Sequence, residues 1–362
     1  MAIVDLMRLT RSAASLSLCM PSLCMSLLVA FFVGFPGPIA ARAETAIHFT
    51  LDRKIDGPAA PFFLAIDKGY FKDEGLDVTI DAATGGPLEA MNRVAAGSDD
   101  MGVADINMLI KARDAANTSI KALFIVFDKP PYAIIARKSR GIETPRSLEG
   151  KKLGAPAADP AFAQWPVFAR INGIDTAKVT IENVGLPVRE PMLASGEVDA
   201  ITGCAFTSYI DLKARGVPAD DLVVLAMADY GLVLYGDAIM VSDSFAQAKP
   251  EAVRGFLRAY LRALKETVRN PARAIDALLA HDDRFRKDVE LERLRMALAD
   301  NILTPAVRAY GYGDIDPQRF AAAIEQLALA YRFKAKDKAA AAFDPSFLPP
   351  AAERGTGGAA SR

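Results

Sequence analysis

Histidine is nearly missing from this chain of 362 residues: there are two, His48 and His281, far apart in sequence. Cysteine is almost as scarce. Cys19 and Cys24 fall in an N-terminal apolar segment, which leaves Cys204 alone in the rest of the chain and excludes an internal disulfide there. No HExxH or CxxC occurs, so the common zinc spacings are absent, and a Ser-His-Asp triad would have to recruit one of the two histidines. No GxxxxGK[ST] and no GxGxxG is completed, which excludes a Walker loop and a dinucleotide fingerprint. No stripe of one charge sign appears among 43 basic and 44 acidic residues, which argues against nucleic acid as a partner. No repeat of solenoid length is present. These absences leave a chain with 51% hydrophobic and 24% charged residues, a globular composition with ample material for a core.

The first 43 residues read differently from the rest. Arg8 and Arg11 precede an apolar run from Ala13 to Val33, broken by Pro21. Phe35-Pro36-Gly37-Pro38 follows, and then the small-residue site Ala41-Arg42-Ala43. Basic, apolar and small in that order is a secretory signal peptide, with cleavage expected after Ala43 and export to the periplasm. An uncleaved membrane anchor is the alternative. Each of the two early cysteines follows a Leu, which disfavours lipidation. Removing three Arg and one Asp with this segment leaves a net charge of −3.

Beyond Glu44 the chain alternates. Short β-branched and apolar runs, such as "AIHFTL", "LDVTID", "YAIIARK" and "LVVLAMA", are separated by amphipathic stretches that begin at Pro or Gly. This spacing predicts two α/β units, each a mostly parallel sheet flanked by helices. "PFFLAIDKGYFKDEG" reads as one helix, with Pro61 in its first turn and Gly75 at its end. In it Gly69 reads as a close-packing position. Pro166 should kink the helix expected from about Pro160 to Asn172, or mark its true start. From Lys249 the chain turns helical, and Val253, Phe256, Leu257, Tyr260, Leu261 and Leu264 form a wide apolar stripe. The tail from Pro349 to Arg362, rich in Ala and Gly, reads as disordered.

In open α/β sheets ligands bind beyond the carboxyl ends of the strands, where helix N-termini present free N–H groups. The residues at those points are the binding candidates: Arg53, Pro61 and Phe62 after the first strand, Gly85 and Gly86 after the second, Asp105 and Asn107 after the third. Asp159, Trp165, Cys204 and Phe206 hold the same places in the second unit, and Tyr230 lies where the chain passes between units. Each also has a plainer reading. Gly85-Gly86 can be a tight turn, Asp159 a helix cap, Trp165 core, and Arg53 a solvated loop charge.

Taken in order, "PFFLAIDKGYFKDEGLDVTI", "GGPLEAMNRVAAGSDDMGVADINMLI", "SLEGKKLGAP", "PMLASGEVDAITG" and "KPEAVRGFLRAYLRAL" resemble periplasmic solute-binding proteins of the nitrate/sulfonate/taurine type, a family that includes thiamine-pyrimidine-synthase-like proteins. The resemblance runs over about residues 46–350. It implies a two-lobed periplasmic-binding-protein fold, each lobe a central sheet flanked by helices, with a ligand cleft between them. Lobe 1 would take residues 44–138 and 233–348 and lobe 2 residues 139–232, with crossings near Arg137–Gly141 and Tyr230–Gly236. The implied function is capture of a small organic solute, such as a sulfonate, taurine, a carboxylate or a pyrimidine. A monomer would deliver that solute to an ABC permease and its ATPase, with no cofactor, metal or catalytic residue. Two alternatives stand beside it: a pyrimidine-precursor synthase on the same fold, or a periplasmic sensor for a membrane receptor. Two departures bear on this. Where the synthase-like members carry the His that their chemistry consumes, this chain has Ala59. Where they have Trp after "LD", it has Arg53, which suggests an anionic ligand.

Overall fold

The computed structural model describes residues 44–83, 85–115, 118–281 and 284–356. The expected signal peptide and residues 357–362 of the tail lie outside the described residues. The four strand runs quoted above form β1, β2, β5 and β9 of ten strands among the described residues: β1 Thr45–Leu51, β2 Leu76–Ala82, β3 Met101–Asp105, β4 Ile120–Ile125, β5 Tyr132–Arg137, β6 Lys152–Gly154, β7 Thr180–Glu182, β8 Ala200–Cys204, β9 Leu222–Ala226 and β10 Asp237–Ser242. They make two five-stranded sheets of matching plan, β2-β1-β3-β10-β4 and β7-β6-β8-β5-β9. In each, the first three strands pair in parallel and the fourth runs antiparallel to both neighbours.

The antiparallel strand of each sheet is supplied across a crossing. The chain leaves the first sheet at Ile125 and enters the second at Tyr132, then returns to the first at Asp237. The first crossing therefore occupies residues 126–131, upstream of the expected Arg137–Gly141, because β5 pairs with β8 and β9. The two crossings run side by side: Gly236 N–H donates to Phe127 O at 2.9 Å and Val126 N–H to Asp237 O at 2.8 Å. A Cβ at Gly236 would sit 2.9 Å from Phe127 Cβ and 3.1 Å from Pro130 Cα, so this approach needs glycine.

The apolar stripe of the helix Pro250–Arg269 packs on the first sheet, and all six of its expected residues are buried. Phe49 stacks on Phe256 and meets Phe62 at a tilt, both at 4.9 Å, and Tyr260 stacks on Phe62 at 4.4 Å. Each such side chain removed from water contributes about 2–3 kcal/mol, so this aromatic layer anchors the first helix to β1.

Two local expectations are corrected. "PFFLAIDKGYFKD" is not one helix: it divides into Ala60–Asp67 and Tyr70–Asp73 at Gly69, whose φ is +68°. No atom lies within 4 Å of a Cβ built on Gly69, so that glycine serves the left-handed turn and not close packing. Residues 349–356 are not structureless. Ala351–Arg354 is helical, and the buried Arg354 donates to Pro349 O and Tyr312 O and pairs with Asp314 at 2.9 Å. In the second unit the helix expected from Pro160 is interrupted at Gln164, so Pro166 lies in the first turn of a new helix, Trp165–Ile171.

Candidate functional site

Parallel strands ending and antiparallel strands beginning at one edge bring their terminal residues together. Asp237 pairs with Asp105 in the first sheet, and Tyr132 with Cys204 in the second. A cavity of about 440 Å³ lies between these edges, and both sheets contribute to its lining.

On the first-sheet side, Arg53 follows β1. Its guanidinium takes Asp52 bidentately, at 2.9 and 3.3 Å, and also pairs with Asp237. It lies 5.6 Å from the Phe127 ring centroid. Burial works against its charge, but Asp52, with Asp56, outweighs that and holds the group protonated. The positive charge suggested as an anion receptor is thus already compensated within the protein.

On the second-sheet side, Arg189 is the hub. Nε and Nη2 donate to Glu190 Oε1 at 2.9 and 2.6 Å, Nη1 reaches Asp159 Oδ2 at 3.4 Å, and Nη2 reaches Ser208 Oγ at 3.3 Å. Ser208 donates to Glu190 at 2.7 Å and Thr202 to Asp159 at 2.6 Å. Asp159 also caps the helix Pro160–Ala163 through Ala161 N–H at 3.1 Å. Burial pushes the Asp159 carboxyl upward more than Arg189 and Thr202 pull it down. For Glu190 burial also pushes upward, but Arg189 prevails and holds its carboxyl below the ordinary range.

Between the two sides runs a buried chain. Asn107 Nδ2 donates to Tyr132 Oη at 2.9 Å and to Tyr235 O at 2.7 Å, and Tyr132 in turn donates to Asp105. Asp105 caps the helix Ile106–Asp114 by accepting from Met108 N–H at 2.8 Å. Burial still pushes its carboxyl up to about 7. Asp56, next to the turn Gly57–Ala59, is pushed up to about 6 by burial, against the pull of Arg53 and Arg293.

Of the residues proposed from sequence, Arg53, Gly86, Asp159 and Cys204 line the cavity. Burial raises the Cys204 thiol, which works against nucleophilic reactivity there. Asp105 and Asn107 stand one layer behind, holding Tyr132. Phe62 borders a small recess beside Asp56, and Pro61 is buried within its helix. Gly85 faces a separate open groove, where its N–H donates to Glu89 at 2.5 Å. Trp165 packs in the core 6.3 Å from Phe168, Tyr230 meets Phe168 edge-on, and Phe206 meets Phe127. Sequence reasoning missed Asp52, Asp56, Arg189, Glu190 and Asp237. The one available signal was Arg189-Glu190, an adjacent ion pair opening an otherwise apolar helix. Among the described residues, no group of three His, Cys, Asp or Glu could hold a metal ion.

Two sheets of one plan, joined by paired crossings and facing each other across a cavity, define the periplasmic-binding-protein fold. The periplasmic aliphatic sulphonate binding protein SsuA from Escherichia coli superposes with a TM-score of 0.64 over 81% of this chain and 97% of its own, at 13% identity. The chain belongs to the NMT1/THI5-like family, whose model matches residues 58–274. A 4-amino-5-hydroxymethyl-2-methylpyrimidine phosphate synthase of Aspergillus parasiticus is 29% identical over 228 residues, covering 60% of this chain and 65% of that protein. The riboflavin-binding protein RibY of Chloroflexus aurantiacus is 25% identical over 301 residues, covering 80% of this chain and 82% of its own.

Proposed function

We propose that this protein is the solute-binding component of an ABC importer, exported to the periplasm, which encloses a small organic molecule between its two lobes and presents it to a permease with its ATPase. The observation that carries this reading is the cavity itself. It lies where two sheets meet, its walls come from both, and polar groups converge on it from several loops, as expected of a small-molecule site. The RibY relative and the SsuA fold support it.

The synthase relative raises an enzymatic reading. Against it stands Ala59, buried in the turn beside the cavity at the point where the family resemblance calls for the consumed histidine. Neither histidine of the chain substitutes for it. His48 hydrogen-bonds Thr79 on the exposed face of β1, and His281 packs on Phe63.

The test is a melting-temperature screen over sulfonates, carboxylates and N-heterocycles, followed by recovery of any solute that binds. At a concentration one hundred times its Kd a solute stabilises the protein by about 2.7 kcal/mol. A solute that raises Tm and is recovered unchanged supports the reading. Chemical conversion of the solute, or no shift across the whole screen, refutes it.

A further inference from the structure

The charges around the cavity decide what can enter it. Four cationic side chains meet six carboxylates there. Arg53 is held by Asp52 and Asp237, Arg189 by Glu190 and Asp159, and Lys54 lies 3.8 Å from Asp211. Arg215, exposed at the end of the helix Ala205–Ala214, has no carboxylate partner among the described residues. An incoming sulfonate or carboxylate would therefore compete with internal carboxylates for both buried guanidinium groups. It would also enter a site that already carries surplus negative charge.

Asp56 differs from the other five carboxylates. It lines the cavity and only 2% of its surface is exposed, yet neither of its oxygens has a hydrogen-bond partner. A buried acceptor left unmatched costs free energy, and a donor arriving from the cavity removes that cost. Pro87, Pro131, Tyr132 and Pro187 give the same cavity an apolar lining, and the volume suits a one-ring molecule.

We propose that the cavity selects an uncharged or cationic ring compound whose N–H groups donate to Asp56, and discriminates against organic anions. This rests on the solute-binding reading and adds the charge class of the solute.

Three probes of one shape test it: benzamidine (cationic), benzamide (uncharged) and benzoate (anionic), each titrated into the purified protein. Benzamidine and benzamide should bind at least about tenfold tighter than benzoate, the size expected of one charge-assisted hydrogen bond. Asp56→Asn should weaken benzamidine about tenfold or more and leave benzamide within about threefold. Because the Asp56 carboxylate makes no hydrogen bond within the fold, this variant should melt no lower than the parent without probe. Should it fail to fold, the pH profile of the parent decides. The groups facing Asp56 are Arg53 and Lys54 from its own loop and Glu290 and Arg293 from the helix Lys287–Ala297. Benzamidine affinity should rise from pH 5 to pH 7 as Asp56 loses its proton, and should do so equally in Asp105→Asn. A flat profile overturns the assignment, as does tightest binding by benzoate or an unchanged preference in Asp56→Asn. Benzoate binding alone, or no binding by any of the three, would overturn this assignment and still leave the solute-binding reading to the wider screen.

Discussion

Arg189→Met should be among the most destabilising single changes in the second unit. Arg189, Glu190 and Asp159 are each more than nine-tenths buried, and the guanidinium supplies four of the hydrogen bonds that satisfy the two carboxylates and Ser208. Removing one partner of a buried ion pair leaves an uncompensated charge and costs about 3–5 kcal/mol. Thr202 and Ser208 still donate to the carboxylates, which places the expected loss near the lower end, about 3 kcal/mol. The sign of the pH dependence is a second constraint. Glu190 is held below its unfolded value, so its contribution is present above that value and is lost as pH falls through the folded one. Without Arg189, burial alone would raise Glu190 above its unfolded value. The variant would then gain stability relative to the parent on acidification, and the gap between them should narrow from pH 7 to pH 5. Urea unfolding followed by Trp165 fluorescence measures this, since the sole tryptophan is buried in the same unit. Arg189→Met with Glu190→Gln should recover a substantial part of the loss, because it removes both charges of the tightest pair. A loss under about 1 kcal/mol, or a gap that widens on acidification, would refute the reasoning.

Asp105→Asn should flatten the pH dependence of stability between about pH 4 and 7. The folded carboxyl is raised to about 7, so its contribution is complete below the unfolded value and is lost as pH rises, by up to about 1.4 kcal/mol per unit. A urea midpoint that varies with pH as steeply in the variant as in the parent would count against this. Gly203→Ala should cost about 1–3 kcal/mol, because its Cβ would lie 2.6 Å from Ser208 Oγ and 3.2 Å from the Arg189 guanidinium carbon; chemical denaturation checks it. Trp165 emission should be blue-shifted and change little on solute binding, as the indole is packed against Phe168 and not in the cavity wall. A large quench on binding would place the solute elsewhere.

The elements were legible where local chemistry decides them. β1 and β2 announce themselves by β-branched alternation, and the stripe from Val253 to Leu264 announces the long helix, because each pattern is complete within one element. Sheet membership was less so. β5 looks the same whichever sheet it joins, and only its pairing with β8 and β9 moves the first crossing to residues 126–131. Charge compensation was not legible at all. Arg53 and Asp237 are 184 residues apart, and Arg189 and Asp159 are 30 apart. A lone Arg in a loop reads as a receptor for an anion until its internal partners are known.

That difference changes what the site means. The strand that each sheet receives across a crossing places Asp237 beside Asp105 and Tyr132 beside Cys204, and of these Asp237, Tyr132 and Cys204 also line the cavity. Arg53 and Arg189 there are fixed in place by carboxylates, of which the received strand delivers Asp237. They then act as rigid, neutralised walls, and the selectivity of the site passes to the groups left unmatched. Among the described residues Asp56 is the one cavity carboxylate without a hydrogen-bond partner, and it lies three residues from Arg53 in the same loop. Under the proposed selectivity, the loop that departs from the family pattern at Arg53 and Ala59 keeps a binding role through a different residue. On this argument, exchanging Arg53 for the family's Trp would release Asp52 and Asp237 and add negative charge to the cavity. It should strengthen benzamidine binding further and weaken benzoate, the opposite of what an anion-receptor role for Arg53 requires.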